Sequence, residues 1–309
     1  MDLFLTELVN GLTLGSVYAL LALGYSMVYG ILKLLNFAHG DIYMVGAFIG
    51  YGVLTVFGGP FKNSLPLVPL IVLMFLAGML GAGLLGVLIE RFAYRRLRNA
   101  PRIAPLITAL GVSFFLESSA LLLLGSQFYT YDTYDLKNGA LFAHGIHLTS
   151  GVYVAVARLI TIIGAPILMI ALTLLVSRTR VGKAMRATSF DREAAAMMGI
   201  DIDRVIVFTF FVGSALAGAG GVMVGLLSQN IGPYIGFFAG LKAFTAAVVG
   251  GIGNIPGAML GGFTIGLAES FTTGYLTSTF QDAIVFCVLI AIMLLRPSGL
   301  LGRAAVQKV

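Results

Sequence analysis

Three ionisable side chains, Glu117, Lys242 and Glu269, stand inside long apolar runs. A charge in such a run is costly and faces a protein interior or a polar path, so these three are candidates for one of two roles. They either line a route for a zwitterionic solute or form a lysine–glutamate pair that neutralises itself. Two further stretches break the hydrophobic pattern with polar residues and glycine: Asn36-Phe37-Ala38-His39-Gly40-Asp41 and Gln229-Asn230-Ile231-Gly232-Pro233-Tyr234. Each adjoins a helix start. Paired broken segments of this kind, one in each half of a chain, offer backbone donors and helix dipoles to small solutes. Asn36, His39 and Asp41 therefore join the candidate pathway. The plainer alternative is that Asp41 favours a helix N-terminus and Gly232-Pro233 is an ordinary loop. A third stretch, Asp191-Arg192-Glu193-Ala194-Ala195-Ala196-Met197-Met198-Gly199, predicts a short helix ended by Gly199. Its small face around Glu193, Ala194 and Ala195 suits docking in another protein's groove, although surface helices of this kind are also common without a partner.

The elements that must position these residues follow from composition. Of 309 residues, 59% are hydrophobic and 10% are charged, against about 25% charged in ordinary soluble chains, and the mean hydropathy is +0.99. A water-soluble surface cannot be built from this. The apolar residues come in stretches of about 20, the length a helix needs to cross a bilayer core. Long charge-free runs such as Leu159 to Val176 argue for helices over a barrel. The fold is therefore expected to be all-α, a polytopic integral membrane protein forming one domain over residues 1–309. Spans are predicted at 6–31, 41–57, 66–90, 103–124, 153–177, 205–227, 236–252, 257–275 and 279–295. The stretch 236–252 is short, Gly-rich and contains Lys242, so it is expected to span or to form a broken or re-entrant helix, for eight or nine crossings.

Basic residues set the orientation. Arg91, Arg95, Arg96, Arg98 and Arg102 follow the third run, and Arg178, Arg180, Lys183, Arg186, Arg192 and Arg204 follow the fifth. Both loops are expected in the cytoplasm, together with a tail carrying Arg296, Arg303 and Lys308. The second of these loops, at about 178–204, holds the Glu193 helix. The loop 125–152, with Lys137 as its one basic side chain and with Tyr129, Tyr131 and Tyr134, is expected outside. Arg158 near the outer end of the fifth span is expected to snorkel. The first apolar stretch, which lacks a basic leader, reads as a retained span. The net charge of +6 thus reports orientation, and no nucleic-acid partner is expected. The single cysteine, Cys287, excludes an internal disulfide and a cysteine metal cluster. His144 and His147 read as solvated, and no metal or cofactor is expected. Gly221/Gly225, Gly257/Gly261 and Gly262/Gly266 have the spacing for close helix packing.

The residues also carry a resemblance. The Glu193-Ala194-Ala195 pattern with Gly199 is similar to the coupling loop of ABC importer permeases, which implies that Asp191, Glu193, Ala194, Ala195 and Gly199 meet the ATPase. Gly11-Leu12-Thr13-Leu14-Gly15-Ser16-Val17-Tyr18-Ala19-Leu20, Gly24-Tyr25-Ser26-Met27-Val28-Tyr29-Gly30 and Asn36-Phe37-Ala38-His39-Gly40 are more specific. With Lys242-Ala243-Phe244-Thr245-Ala246-Ala247-Val248 and Gly250-Gly251-Ile252-Gly253-Asn254-Ile255-Pro256-Gly257-Ala258, they resemble the LivH-type permeases of branched-chain amino acid importers, over nearly the whole chain. The resemblance implies a bacterial inner-membrane permease paired with a related second permease as a heterodimer. It also implies two cytoplasmic ATP-binding subunits and a periplasmic amino-acid-binding protein.

The chain contains no Gly-x-x-x-x-Gly-Lys-Ser/Thr phosphate loop, so ATP hydrolysis is expected on partners and not here. A secondary transporter or channel using Glu117, Lys242 and Glu269 as a relay is the alternative, and urea or short amides are alternative cargoes. An intramembrane enzyme would need a nucleophile and base on adjacent spans. Ser118 and Ser119 beside Glu117 are the nearest approach to that, and hydroxyls at such positions usually bond back to the backbone.

Overall fold

The structure, a computed structural model, describes residues 2–58, 66–98, 100–101, 103–131, 145–149 and 152–302. Lys137, Tyr134, His144, Arg102, Arg303 and Lys308 lie outside the described residues. Eleven helices follow one another among the described residues: α1 (Asp2–Leu32), α2 (His39–Gly58), α3 (Leu67–Ile89), α4 (Ile103–Leu124), α5 (Val156–Arg178), α6 (Arg180–Phe190), α7 (Arg192–Met197), α8 (Ile202–Ser228), α9 (Ile235–Gly250), α10 (Ile255–Tyr275) and α11 (Gln281–Leu295). Among the described residues, strand content is confined to two short pairs. β1 (Tyr129–Thr130) is antiparallel to β4 (Asn230–Ile231), and β2 (Gly145–Thr149) to β3 (Val152–Ala155).

Helices stand at all nine expected spans. Seven are long and apolar enough to cross a membrane. The other two are α9, at 16 residues, and α10, at 21. At 1.5 Å per residue α9 reaches only about 24 Å, short of a hydrocarbon core. The chain is a multi-pass membrane protein. α2 begins two residues before the expected start, because the His39 amide bonds the Asn36 carbonyl at 3.1 Å and the Ile42 amide bonds that of Ala38 at 3.1 Å. That places His39 and Gly40 in the helix.

Lipid offers no hydrophobic force to join helices, so association depends on close packing of small residues. α1 is the axis: 83% of its apolar window is buried, against 6% for α11 at the periphery. It packs on α10, α8 and α9. A Cβ on Gly262 would lie 2.4 Å from Ala19 Cα, and one on Gly266 would lie 2.2 Å from the Gly15 amide nitrogen. Gly257 and Gly261 serve the α9–α10 contact in the same way, against Gly250 and Ala246. Gly221 meets α2, but Gly225 faces the ring of Tyr131 and not another helix.

One end of the bundle is basic. There the C-terminus of α3 continues through a π-helical turn (Glu90–Tyr94) and a 3-10 turn (Arg95–Leu97). Arg98 donates to buried Glu90 and, with Arg95, to Asp203 at the start of α8. The same end holds the C-terminus of α1, helices α6 and α7, and the segment after α11, whose Leu300 and Leu301 amides bond the Val249 and Gly250 carbonyls at 2.8 and 3.1 Å. At the opposite end Arg158 donates to Asn10 at 2.6 Å, so it is held by a partner on α1. There too the Tyr131 side chain plunges inward, fully buried, and its hydroxyl donates to the Ala47 carbonyl.

Candidate functional site

The first polar stretch turns the chain back into the bundle. α1 ends at Leu32, and Lys33 adopts a left-handed conformation at φ 56°. Asn36 then accepts a hydrogen bond from Tyr94 at 2.8 Å, and α2 starts. Its His39 ring is buried against Gly24, more than two turns before the end of α1, where a Cβ would lie 2.2 Å from His39 Nε2. The ring stacks edge-on to Tyr25 at 4.8 Å and faces the Leu21 carbonyl without closing a hydrogen bond of ordinary geometry.

The second polar stretch reaches the same depth from the other end. Anchored by β4 to β1, it delivers the first turn of α9 to that of α2: a Cβ on Gly40 would lie 2.3 Å from the Gly236 oxygen, and one on Gly236 would lie 2.6 Å from the Gly40 oxygen. Only glycine lets the two backbones meet. From this junction α9 runs toward the basic end and α2 away from it, so two helix N-termini, each the positive end of a helix dipole, converge inside the bundle.

Asp41, in the first turn of α2, is buried and accepts a hydrogen bond from Ser113 on α4. Its other oxygen has no hydrogen-bond partner among the described residues. Glu117, one turn further along α4, is buried close enough to act electrostatically on it. Asp41 thus ties the start of α2 to α4. Lys242 lies two residues beyond Gly240, which touches Gly40. Its ammonium pairs with Glu269 at 2.6 Å and with Asp282, at the start of α11, at 2.7 Å; Tyr18 on α1 donates to the other Glu269 oxygen at 2.9 Å.

The lysine–glutamate pair, one of the two roles open from sequence, is present as Lys242–Glu269, whereas Glu117 lies with Asp41. Among the described residues no hydrogen bond or ion pair joins the two groups. Ser113, Tyr18 and Asp282 escaped the sequence reading: a serine or tyrosine in an apolar helix has no distinctive pattern, and Asp282 reads as a helix-start acid at a membrane boundary. No group of three His, Cys, Asp or Glu side chains among the described residues is placed to hold a metal ion.

At the basic end, α7 forms as its residues dictate. Asp191 caps it, accepting from the Glu193 and Ala194 amides at 2.9 and 3.0 Å, and Gly199 leaves it at φ 80°. Ala195 is buried against the bundle, while Glu193 and Ala194 face out. Phe190, Met197 and Met198 are 91%, 83% and 83% exposed on the same segment. Arg192, which the sequence presents only as one more basic loop residue, donates to the Ile31 carbonyl at the end of α1 through Nε at 3.2 Å and a terminal nitrogen at 2.6 Å.

Residues 7–293 match the family model described as "Branched-chain amino acid transport system / permease component". The high-affinity branched-chain amino acid transport system permease protein BraD of Pseudomonas aeruginosa is 42% identical over 306 residues, 99% of this chain and 98% of that protein. LivH of Escherichia coli K12 is 41% identical over 309 residues, again 99% and 98%. The probable branched-chain amino acid transport permease LivH of Methanocaldococcus jannaschii is 30% identical over 294 residues, 93% of this chain and 89% of that protein. No solved structure matches the chain significantly.

Proposed function

The chain belongs to the branched-chain amino acid transport permease family, and on that premise we propose that it is the membrane-spanning permease subunit of an ATP-driven importer of branched-chain amino acids in a bacterial inner membrane. The likeness over almost the full length of both chains carries the proposal. The importer would be completed by a related second permease, two cytoplasmic ATP-binding subunits and a periplasmic amino-acid-binding protein. The basic end faces the cytoplasm on this reading, in keeping with the excess of Lys and Arg in its loops. The C-terminus is then internal and the start of α1 external.

Within that assembly, α7 is the coupling element. Its cap Asp191, its outward Glu193 and Ala194, its buried Ala195 and its terminating Gly199 make a rigid knob, and exposed Phe190, Met197 and Met198 supply apolar surface for an ATPase groove. Through Arg192, a push on α7 reaches the end of α1 and the turn that leads to Asn36 and His39. The junction of α2 and α9 and the two charged groups beside it, Asp41 with Glu117 and Lys242 with Glu269, are assigned to the translocation pathway. What supports this is the meeting of two helix N-termini next to charges of both signs, chemistry suited to an amino acid's carboxylate and ammonium.

The test is uptake of labelled leucine in cells lacking their own importer, with this chain and its partners, and with the ATPase catalytic residues intact or disabled. Uptake that needs both this chain and a working ATPase is expected. Uptake that survives ATPase loss but collapses with the ion gradient overturns the proposal in favour of a secondary carrier.

A further inference from the structure

A cavity of about 460 Å³ lies at the basic end, between the C-terminus of α1, the end of α5, helix α6 and the loop from α9 to α10. Along α1 it reaches from exposed Lys33 to buried Ser26, a depth of roughly 10 Å at helical rise. Its rim is positive. Lys33 and Arg186 line it, and neither forms an ion pair with a carboxylate among the described residues. Arg186 donates to the Ser177 carbonyl at 3.1 Å, which leaves its charge unanswered. The 21-residue helix α10 starts at the cavity with its cap Asn254 and adds the positive end of its dipole. No acidic side chain lines the cavity among the described residues. One turn below Gly30, Ser26 supplies a second polar feature. A hydroxyl inside a membrane helix usually bonds back to the carbonyl a turn earlier, as Thr13 does to Val9 at 2.7 Å. The Ser26 hydroxyl is buried and has no hydrogen-bond partner among the described residues. Met27, Ile31, Met185, Ile252 and Ile255 make the remaining walls apolar.

The three features together select an occupant. An inorganic anion leaves the apolar walls and the Ser26 hydroxyl unmatched, and a neutral apolar solute leaves the cations unmatched. A carboxylate with a second polar group on the adjacent carbon and an aliphatic tail uses all three. We propose that this cavity binds a small 2-amino or 2-oxo acid with an aliphatic side chain. Its carboxylate points to Lys33, Arg186 and the start of α10, and its α-substituent meets Ser26, whose hydroxyl can accept from an ammonium or donate to a keto oxygen. Because Met185 and Arg186 stand on α6, the occupant also joins α6, and with it the neighbouring α7, to α1. On the importer reading the cavity faces the cytoplasm, so the occupant is the delivered amino acid or the 2-oxo acid formed from it; the chemistry of the cavity does not depend on that reading.

The test measures binding of labelled leucine, 4-methyl-2-oxopentanoate and 4-methylpentanoate, which lacks an α-substituent, to the purified full chain with whatever subunits copurify. Gly30→Leu fills the cavity, since a Cβ there meets Gly253 Cα at 3.7 Å, an ordinary contact; the binding it removes is the cavity's own. Arg186→Gln is expected to weaken that binding about tenfold for all three ligands. Ser26→Ala should weaken leucine and the 2-oxo acid about fivefold, leave 4-methylpentanoate unchanged and not lower the thermal midpoint, because no hydrogen bond is lost in the empty protein. Lys183→Gln, exposed on α6 and outside the lining, should match the parent. Tighter binding of leucine or of the 2-oxo acid supports the site and identifies its source. Equal binding by the parent and Gly30→Leu, equal weakening of all three ligands by Ser26→Ala, or displacement by inorganic phosphate as effective as by the carboxylates overturns the site. Should Arg186→Gln or Gly30→Leu fail to fold, Ser26→Ala, which only removes an oxygen, still decides the matter. Failure of ATP-dependent uptake bears on the importer reading alone, since binding is read on the purified protein.

Discussion

Glu269→Gln and Asp282→Asn remove the same charge from the same lysine, yet their effects should differ. The Glu269 side chain is 6% exposed and that of Asp282 is 50% exposed, each within 2.7 Å of the Lys242 ammonium. Breaking a buried pair by removing one partner costs about 3–5 kcal/mol, because an uncompensated charge is left behind. Here Asp282 still answers Lys242, and the new amide oxygen can still accept from Lys242 or Tyr18, so about 2–3 kcal/mol is expected for Glu269→Gln. Asp282 is half in solvent, and its loss should cost about 1 kcal/mol or less. At roughly 2 °C per kcal/mol for a chain of this size, the midpoint of thermal unfolding in detergent should fall by about 5 °C for Glu269→Gln and about 2 °C for Asp282→Asn. Size-exclusion chromatography of heated samples reads both. The triple variant Lys242→Met, Glu269→Leu, Asp282→Asn replaces the pair by apolar groups of similar volume and should recover the lost stability. If it recovers leucine uptake as well, the charges serve structure alone and the pathway assignment of Lys242 and Glu269 is wrong. Equal shifts for Glu269→Gln and Asp282→Asn would refute the burial argument itself.

Gly40→Ala or Gly236→Ala should abolish uptake and lower stability by about 1–3 kcal/mol, since the added methyl meets a carbonyl oxygen at 2.3 or 2.6 Å. Gly52→Ala, with nothing within 4 Å, should match the parent in both assays. Glu193→Trp should cut leucine uptake at least about tenfold while membrane insertion stays normal, because the side chain faces out and only a docked partner would meet it; unchanged uptake removes the coupling role. Tyr131→Phe removes the side-chain donor to the Ala47 carbonyl at a cost of about 1 kcal/mol, whereas Tyr131→Ala empties the space over Gly50 and Gly225 and should cost about 3–5 kcal/mol, both measured by the same heated-sample assay.

Much of the fold is legible from one-dimensional signals. Span length is set by the thickness of a hydrocarbon core, and apolar run lengths report it directly, so all nine helix positions stand in the sequence. α7 is legible for a local reason too: an Asp cap, three alanines and a Gly at the left-handed terminus act over a single turn or two. The cost of a lone charge in an apolar run also put a lysine–glutamate pair among the two roles the sequence left open.

Which glutamate answers Lys242 does not follow. Glu117 and Glu269 are equally acidic and equally embedded in sequence, and the choice between them is made by which helices glycine allows to touch. Gly262 and Gly266 press α10 onto α1, and Gly257 and Gly261 press it onto α9, which brings Glu269 to Lys242 and Tyr18. Glu117 stays on α4 with Asp41 and Ser113. The sequence by itself thus determined the solvent, the helices and their caps, because hydrophobic length and terminus chemistry are local. Only the tertiary structure decided that the first turns of α2 and α9 meet at Gly40 and Gly236 and that Arg192 reaches the end of α1, since contacts between distant segments depend on the shapes of two surfaces at once.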